Sequence, residues 1–512
     1  MAENYDVLII GSGMGGLICA DLLGREGFSV CILEKNKQIG GSLQTYVRDK
    51  VIFDSGVHYL GGLDKGQNLY QIFKYVDIVD KMKLQRQDID CFDKLMVDTE
   101  DTEYVFAQGY DNFIEKLLIH FPDEEEALRT YCDKIKEICA KFPLYNLQST
   151  NNLDEKSDIL EIDTKGFIDS ITENEKLRMV LAGNNALYAG QPDKTPLYVH
   201  ALILNSYIES SWKCVDGGSQ IAKLLSKNIK ERGGKIIRNC EVKKIVEEGG
   251  IVTHVVLEDG SKMYAKNFIS NMHPVRTLEL TDTPLIKNAY RNRLKGLENS
   301  VSAFTINIVF KKDSFKYFKH NYYCGSYGHV WTAADHTEEN WPLGYAIFCG
   351  ASSKSDVYAD GLSILAYMRY EEVEPWKETF NTVSKVNDRG ETYNDFKTRK
   401  AEILLDVVEK KFPGLRACIK SYYVATPLSF RDYIGNDDGS LYGIVKDYKH
   451  TLKTFISPRT KLPNLYLTGQ NLNLHGILGA SMSGIVTCCA LLGNDNIIAK
   501  IRNAGKEEEV VL

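Results

Sequence analysis

Residues 5–34 read YDVLIIGSGMGGLICADLLGREGFSVCILE, and this stretch decides the fold. It begins with a short aliphatic run, 5–10, which is typical of a buried strand. A turn with four glycines in six residues follows, and apolar residues then recur at helical spacing over 17–23. A second apolar run, 29–33, predicts another strand and ends at the acid Glu34. The order strand, G-x-G-x-x-G, helix, strand and acid predicts a dinucleotide-binding unit.

Each glycine of this turn has its own physical task. Gly11 permits the tight turn out of the strand, Gly13 lets the backbone approach a pyrophosphate, and Gly16 lets the helix pack closely on the sheet. Met14 and Gly15 lie at the start of the helix, where free N–H groups and a partial positive charge attract phosphates. A glycine-rich turn that binds nothing is the alternative interpretation.

The residues after the second strand favour FAD over NAD. Glu34 is expected to accept hydrogen bonds from both ribose hydroxyls of an adenosine, and its charge disfavours the 2′-phosphate of NADP. Lys35 follows, and the run Gly40-Gly41-Ser42 begins six residues after the acid. NAD dehydrogenases have no need of this second glycine pair, whereas FAD lies extended and needs more backbone along its ribityl chain.

A further motif, F-D-S-G-V-H at 53–58, completes the amino-terminal pattern. The pattern of acid, short spacer, G-G-S and F-D-x-G-x-H resembles the amine oxidase and phytoene desaturase superfamily of flavoproteins. That resemblance implies that Gly40 and Gly41 lie along the pyrophosphate and ribityl chain. It also implies that Gly56, Val57 and His58 lie near the flavin ring.

Two later segments extend the same resemblance. Residues 212–274 return to an α/β pattern, in which two apolar runs frame an Asp-Gly hairpin turn at 259–260. The resemblance places Val242, within this segment, against the adenine. Residues 462–493 contain a strand at 465–467, then Gly469-Gln470, then small residues from Gly479-Ala480 onward that open a helix. The amino terminus of that helix is expected to point its dipole at the flavin and to stabilise negative charge there.

The remaining chain predicts a second lobe. Amphipathic helices are expected within 69–84, 113–121 and 128–139, strands at 302–311, 344–349 and 362–369, and a helix over 395–412. The predicted fold class is therefore α/β, a two-domain FAD-dependent oxidoreductase. A Rossmann-like FAD-binding domain is formed by 1–62, 206–290 and 456–512, and an interleaved α+β substrate domain by 63–205 and 291–455. Length alone suggests about three domains, and the interleaving reduces the number to two.

The three FAD segments together resemble the phytoene desaturase, carotenoid isomerase and retinol saturase family. The runs L-Y-A-G at 187–190, T-P-L at 426–428, G-S-L-Y-G at 439–443 and T-G-Q at 468–470 are most similar to the retinol saturase branch. Many relatives carry an acid where this chain has Gln470, which can form hydrogen bonds but adds no charge near the flavin.

The resemblance implies chemistry at carbon–carbon double bonds of a polyene, isoprenoid or other lipid-like substrate. A saturase, or reductase, that transfers hydride from flavin N5 is the main expectation. A desaturase or a cis–trans isomerase using the same flavin is the alternative, and a flavin-bound protein without turnover is a remote one. No second G-x-G-x-x-G stands in a strand–helix context, so NADH or NADPH is expected to reduce the flavin by transient binding, unless another donor does so.

The candidate catalytic residues are His475 and His58, because their motifs place both near the flavin ring. Either could supply a proton, and the alternative for each is a structural histidine bonded to the backbone. Tyr59 and Tyr188 are further candidates. Many of the 29 tyrosines fall in the inserted lobe, where an aromatic-lined pocket or a packed core would use them: Tyr188, Tyr198, Tyr207, Tyr322, Tyr323, Tyr367 and Tyr370.

Composition limits the partners and the compartment. The net charge of -7 argues against nucleic acid as a partner. The 12 cysteines are scattered without zinc spacing, so no metal is expected and most are predicted to be buried. The start carries no secretory signal pattern and no apolar run approaches a membrane span. We expect a cytoplasmic protein, with peripheral contact to the inner face of a membrane through an apolar patch as an open possibility. The sequence does not define the oligomeric state.

Overall fold

The computed structural model describes residues 4–149 and 157–504. The strands are β1 (Asn4–Ile10), β2 (Val30–Glu34), β3 (Thr45–Arg48), β4 (Val51–Asp54), β5 (Leu60–Gly61), β6 (Leu84–Arg86), β7 (Asp93–Val97), β8 (Glu103–Phe106), β9 (Ser211–Cys214), β10 (Lys235–Arg238), β11 (Val242–Glu248), β12 (Ile251–Leu257), β13 (Lys262–Ser270), β14 (Ser302–Phe310), β15 (Asn321–Gly325), β16 (Gly344–Phe348), β17 (Gly361–Met368), β18 (Ile419–Ala425) and β19 (Leu465–Leu467).

The helices are α1 (Met14–Arg25), α2 (Asn68–Tyr75), α3 (Tyr110–Leu118), α4 (Glu125–Ala140), α5 (Ser157–Leu160), α6 (Thr164–Ile171), α7 (Glu175–Ala182), α8 (Leu197–Glu209), α9 (Ser219–Glu231), α10 (Pro274–Glu279), α11 (Asn288–Lys295), α12 (Glu391–Lys411), α13 (Leu415–Cys418), α14 (Pro427–Ile434), α15 (Thr451–Thr454), α16 (Gly476–Leu492) and α17 (Asn496–Asn503). Short 3₁₀ turns occur at Gly41–Leu43, Val79–Lys81, Gly183–Leu187, Tyr370–Trp376 and Tyr448–His450.

The first sheet has the order β10-β2-β1-β13-β12-β11, and β19 pairs with β13. Pairing is parallel across β10, β2, β1 and β13 and also between β13 and β19, whereas β11, β12 and β13 form an antiparallel meander. Its strands come from all three segments assigned by sequence to the FAD-binding domain. Buried apolar residues cover both faces of this sheet, as expected for parallel strands flanked by helices.

The second sheet has the order β18-β14-β17-β16-β15-β7-β8. Most of its pairs are antiparallel, and β7 pairs with β15 in parallel. Helices α3, α4, α7 and α8 pack on one face, and α12 packs on the other. This lobe is therefore mixed α+β, and the domain boundaries themselves stay a prediction.

The region 63–205, in which the sequence predicts amphipathic helices, also contributes strands. β6, β7 and β8 interrupt it, and β7 and β8 complete the second sheet. The helix expected within 69–84 ends at Tyr75, because Asp77 adopts a left-handed backbone with φ of 57°. The apolar periodicity continues past that break because Val76, Ile78 and Val79 are buried although none of them belongs to an α-helix. In this segment the apolar periodicity therefore indicates which residues are buried, and it does not indicate an α-helix.

Three remaining observations concern the sequence expectations on compartment and metals. All 12 cysteines are free, and ten of them are buried; Cys418 and Cys489 are half-buried. Within residues 4–149 and 157–504, no helix is both long and apolar enough to cross a bilayer. The same ranges contain no group of three or more His, Cys, Asp or Glu that could hold a metal ion. Residues 1–3, part of the start used to judge a secretory signal, lie outside the described residues.

Candidate active site

The first glycine-rich loop lies at the carboxyl end of β1, the edge at which such sheets bind ligands. Gly11 has φ of 95° and α1 begins at Met14. A methyl group on Gly16 would lie 2.2 Å from the carbonyl oxygen of Gly11, so Gly16 is needed for the packing of α1 on β1. A methyl group on Gly13 would instead lie 2.6 Å from Nδ2 of Asn271, a side-chain atom.

Glu34 ends β2 beside this loop and is 5% exposed. Its Oε2 accepts hydrogen bonds from the backbone N–H of Ser12 (3.0 Å) and from the Ser12 hydroxyl (2.5 Å), and its Oε1 accepts one from Asn36 N–H (2.8 Å). Since each carboxylate oxygen has about two acceptor sites, Oε1 retains capacity for a ribose hydroxyl. Ser12 Oγ also accepts the N–H of Gly40 (3.0 Å), which ties the second glycine pair to the first loop.

The second glycine pair packs directly over the first loop. Gly40 and Gly41 have φ of 115° and 55°. A methyl group on Gly41 would lie 3.2 Å from the Cα of Gly13, and one on Gly56 would lie 3.3 Å from the Cβ of Ser42. The three motifs of the first sixty residues are therefore brought together in space.

Asn271 is a central residue of the site that the sequence interpretation missed. It follows β13, and its N–H donates to the carbonyl of Ile10 (2.9 Å). Methyl groups on Gly15 and Gly469 would lie 2.8 and 2.6 Å from its Oδ1. Asn271 thus fills the space between the amino-terminal and carboxyl-terminal glycine loops. Its position at the carboxyl end of a strand that neighbours β1 was the available signal.

The glycine loops open into one cavity of about 1800 Å³ that extends between the two lobes. Drug-sized ligands occupy pockets of roughly 300–1,000 Å³, so this cavity has room for a dinucleotide and a second ligand. The predicted cofactor-binding residues and the two candidate histidines all line it except Gly16: Gly11, Gly13, Met14, Gly15, Glu34, Lys35, Gly40, Gly41, Ser42, Gly56, Val57, His58, Val242, Gly469, Gln470, His475, Gly479 and Ala480.

The nucleotide end of the cavity is polar. Lys35 lines it with its Nζ donating to the carbonyl of Asp432 (3.1 Å), and burial lowers the pKa of this lysine. Val242 begins β11 beside it. Asp54, which also lines the cavity, accepts the N–H of Gly218 (2.7 Å) and so connects the first segment to the start of α9.

The helix expected to begin near Gly479 begins earlier. α16 starts at Gly476, with His475 at its N-cap position. A methyl group on Gly479 would lie 2.4 Å from the carbonyl oxygen of Leu474. The chain's own preceding loop therefore already requires a glycine at 479, in addition to any need imposed by a ligand ring.

Both candidate histidines face the cavity and are held as neutral imidazoles. The His58 ring stacks on Phe348 at 4.0 Å between centroids. Burial, with a smaller contribution from Lys213, lowers the pKa of His58 to about 4. Burial likewise lowers the pKa of His475 to about 4. Neither ring carries a proton to donate as imidazolium at neutral pH, and this favours positioning over proton supply for both.

The hydrogen bonds of the candidate residues differ. His475 Nε2 donates to the carbonyl of Leu187 (2.9 Å), because a carbonyl oxygen only accepts. Tyr59 lines the cavity. The hydroxyl of Tyr188 contacts Nδ1 of the buried His200 (2.8 Å), and Tyr188 does not line the cavity.

The second arm of the cavity is mainly apolar and runs between α8 and the residues flanking α15. Of the seven tyrosines singled out in the sequence, Tyr198, Tyr207 and Tyr323 line the cavity, whereas Tyr188, Tyr322, Tyr367 and Tyr370 do not. The side chains of this arm are Leu69, Phe142, Leu144, Leu160, Leu187, Tyr198, Leu202, Ile203, Tyr207, Leu452, Phe455, Leu474 and Leu478. Such a wall suits an elongated apolar ligand.

The residues present fit FAD at the polar end. A free helix amino terminus, glycines that keep the backbone open, and a carboxylate at the end of β2 match the needs of a pyrophosphate and a ribose. The parallel sheet, the glycine turn at its carboxyl edge and the second lobe across a shared cavity define a two-domain flavin-dependent oxidoreductase.

The family follows from a direct match. Residues 14–342 match the family described as flavin containing amine oxidoreductase. This range covers 329 of the 512 residues, and the chain belongs to that family. It is an FAD-dependent oxidoreductase.

The individual relatives share about a quarter of their sequence with this chain or less. The chain is 25% identical to the all-trans-retinol 13,14-reductase of Danio rerio, with 97% of this chain and 87% of the relative covered. It is 24% identical to prolycopene isomerase 2, chloroplastic, of an Oncidium hybrid cultivar, over 95% and 83% of the two chains. The crystal structure of an oxidoreductase from Methanosarcina mazei superposes with a TM-score of 0.62 at 17% identity, over 94% and 98% of the chains, and shows the same fold.

Proposed function

We propose that this protein is a saturase: an FAD-dependent enzyme that reduces a carbon–carbon double bond in a polyene, isoprenoid or other lipid-like substrate. The observation that carries the proposal is the apolar arm of the cavity, which continues from the polar FAD end. The similarity to an all-trans-retinol 13,14-reductase over nearly the whole chain supports the same substrate class.

The lining of the arm explains why a long apolar substrate would bind. Leu202, Ile203 and Tyr207 project from α8, and Phe455 and Leu474 face them from the carboxyl-terminal part of the chain. Each methylene that moves from water into such a wall contributes roughly 0.8 kcal/mol to binding. A polyene also presents flat faces that aromatic rings can contact.

The chain's own residues orient the reactants and exclude water. When bound, FAD supplies hydride transfer to or from carbon. The loops at Gly13 and Gly41 hold its pyrophosphate, and Glu34 holds its ribose. His58, stacked on Phe348, and His475, bonded to Leu187, have fixed ring orientations and form part of the cavity wall.

A redox-neutral isomerase, or a desaturase, is the second candidate. The similarity to a prolycopene isomerase supports the isomerase, since the same cavity would hold either substrate. We propose NADH or NADPH as the electron donor of the reductase.

Peripheral contact with a membrane belongs to the same proposal. Leu452 lines the cavity and is 87% exposed, so an apolar side chain stands at the cavity mouth. An apolar substrate would pass there from the inner face of a membrane without entering water. The protein itself is proposed to be cytoplasmic.

An anaerobic half-reaction tests the proposed chemistry. The flavin of the holoenzyme is reduced, and candidate polyenes, enones and unsaturated lipids are added one at a time while flavin absorbance is followed. The saturase reoxidises the flavin, and the product gains two hydrogens by mass spectrometry. A fully saturated analogue of equal chain length is the control and leaves the flavin reduced.

The other outcomes are distinct. An isomerised product with the flavin still reduced supports the second candidate. Stopped-flow mixing of oxidised enzyme with NADH and with NADPH identifies the donor. If no unsaturated lipid is reduced, isomerised or desaturated, the substrate class proposed here is wrong.

A further inference from the structure

A buried acid stands behind the cavity wall. Asp93 opens β7 and is 0% exposed. Its Oδ2 accepts hydrogen bonds from the Tyr59 hydroxyl (3.0 Å) and the Asn184 amide (2.8 Å), and its Oδ1 accepts one from the Asn321 amide (2.8 Å). Within the described ranges, Asp93 forms no ion pair. A carboxyl group in such a place is costly to ionise, and burial raises its pKa to about 7.

Hydrogen bonds connect this acid to the cavity. The Tyr59 hydroxyl, which contacts Asp93, lies 2.8 Å from the hydroxyl of Tyr323. Tyr59 and Tyr323 both line the cavity, whereas Asp93 does not. Tyr207, another lining residue, stacks on the Tyr59 ring with centroids 4.3 Å apart and fixes its orientation. The hydrogen bonds therefore run from Asp93 to Tyr59 and from Tyr59 to Tyr323, and both phenols border the cavity.

We propose that Asp93, Tyr59 and Tyr323 form a proton relay that supplies the proton for double-bond reduction, with Tyr323 as the donor to the substrate. This inference rests on the proposed saturase function. Asp93, which does not line the cavity, acts through Tyr59 and Tyr323.

The chemical step balances. One carbon of the double bond accepts a hydride from two-electron-reduced flavin, which is thereby oxidised, and the other carbon accepts the proton of the Tyr323 hydroxyl. Tyr59 returns a proton to Tyr323, Asp93 returns one to Tyr59, and one proton taken up from bulk solvent restores neutral Asp93. The substrate gains two hydrogens, and the relay ends in its starting state.

The protonation state of Asp93 sets the direction of the relay. Ionised Asp93 only accepts hydrogen bonds, so Tyr59 must point its proton inward. Neutral Asp93 can donate to Tyr59, and each phenol can then point its proton toward the cavity. The amides of Asn184 and Asn321 donate to the carboxyl oxygens, which accept hydrogen bonds in either protonation state, so both amides hold Asp93 in place throughout. Among the described residues, the carbonyl oxygens of these two amides have no hydrogen-bond partner.

The titratable groups around Asp93 are Tyr59, Cys91, Tyr207, Tyr323 and Lys213. Burial raises the pKa of the Cys91 thiol to about 12, so this group stays neutral. Burial holds the pKa of all three phenols above the ordinary value, so they stay protonated at neutral pH. Lys213 is buried, donates to the carbonyl of Cys349 (2.8 Å), and has its pKa lowered by burial to about 8. Its charge favours ionised Asp93, but the burial of Asp93 is the larger effect.

The experiment uses the holoenzyme with Asp93→Asn and Tyr323→Phe, each checked for FAD content. Tyr322→Phe is the matched control, because Tyr322 is the preceding residue on β15, packs on the opposite face of the sheet and lies outside the cavity. Reoxidation of reduced flavin by substrate is measured from pH 5 to pH 9 in H₂O and D₂O. Infrared difference spectra follow the carboxylic acid band of Asp93, independently of turnover.

The relay predicts three results. Wild-type reoxidation slows about tenfold per pH unit above the pKa of Asp93, as expected when only the neutral acid is active. Tyr323→Phe lowers the rate by about 10²-fold or more, the scale of a lost general acid, while Tyr322→Phe stays within about twofold. Asp93→Asn is slower, loses the pH dependence near 7 and loses the infrared band that titrates there.

Contrary outcomes separate the inference from the function on which it rests. If wild-type flavin is not reoxidised by any unsaturated lipid, the proposed function fails and the relay fails with it. If wild type reacts and Tyr323→Phe reacts equally fast with the same solvent isotope effect, the relay alone is overturned. Should Asp93→Asn fail to fold, the infrared titration of wild type and the Tyr323→Phe kinetics decide; a carboxyl group fully ionised at pH 5 overturns the relay.

Discussion

Alanine substitutions at two glycines of the first loop should impair different properties: Gly16→Ala should lower the stability of the protein, and Gly13→Ala should abolish FAD binding. The Cβ of Gly16→Ala would lie 2.2 Å from the backbone oxygen of Gly11, and neither atom can rotate away. Overpacking of this kind costs about 1–3 kcal/mol, and the upper end applies because both groups belong to the backbone. Alanine returns about 1 kcal/mol through its helix propensity in α1. The net loss of stability is therefore about 2 kcal/mol.

Gly13→Ala meets a different neighbour. Its Cβ would lie 2.6 Å from Nδ2 of Asn271, which a side-chain rotation can move. Gly13 has φ of -65°, which any residue adopts. We expect little change in the stability of the apoprotein. The new methyl group, however, stands where the pyrophosphate must approach, so FAD binding should be lost.

Thermal unfolding with and without FAD separates the two cases. At about 2.1 cal/mol/K per residue, unfolding all 512 residues as one unit has an entropy of about 1.1 kcal/mol/K. Gly16→Ala then lowers the apoprotein Tm by about 2 °C. FAD at 100 times its Kd contributes about 2.7 kcal/mol, or about 2–3 °C, and Gly13→Ala abolishes this increase. Gly24→Ala lies in the same helix as Gly16, its nearest neighbour is the Arg232 side chain 3.9 Å away, and as the control it should raise Tm slightly.

Two outcomes would contradict these predictions. If Gly13→Ala keeps the full FAD-dependent increase in Tm and releases one FAD per chain on denaturation, the pyrophosphate does not lie at Gly13. If Gly16→Ala unfolds at the wild-type temperature, α1 does not pack on β1 as closely as described.

Two further predictions concern titrating groups. Because Asp93 has a pKa of about 7 when folded and an ordinary one of 3.8, its contribution to stability is full below about pH 4 and is lost as pH rises through about 7. At 1.36 kcal/mol per pKa unit this loss is about 4 kcal/mol. The free energy of unfolding measured in urea should therefore depend less on pH for Asp93→Asn than for wild type over that range, and an equal pH dependence would contradict the prediction. His58→Ala and His475→Ala should retain FAD and lower turnover without shifting the pH profile between 5 and 8, because neither ring titrates there. Unchanged turnover in both would remove them as functional residues.

The parts of the site that sequence could predict are those set by local backbone geometry. Gly11, Gly13, Gly40 and Gly41 stand in one short segment, where left-handed turns and close approach allow little else. Glu34 follows directly from the end of a strand in the same unit. The motif predicts these residues without knowledge of the rest of the chain. Gly16 was predicted both to pack α1 on the sheet and to belong to the cofactor site, and in the structure it packs against Gly11 and does not line the cavity.

The residues that sequence could not predict acquire their roles from distant neighbours. Asn271 matters because it meets Gly15 and Gly469, which lie about two hundred or more residues away on either side. The sequence around Asp93 indicates neither its burial nor its hydrogen-bond partners. Only the parallel pairing of β7 with β15, which sets Asp93 opposite Asn321, shows it as a buried acid.

The strand β19 joins the first sheet beside β13, and α1 packs against α16. The FAD-binding fold therefore needs both the earliest and the latest parts of the chain. During translation these two parts are made at widely separated times. The ribosome completes Glu34 and then has 442 residues to add before it reaches Gly476, which at about 5–20 residues per second takes roughly 20–90 s. During that interval the nascent chain carries a finished phosphate-binding turn without the segment that encloses it. FAD binding is therefore expected to follow release from the ribosome or to come very late in translation. In cells short of FAD, full-length chains without the cofactor would accumulate.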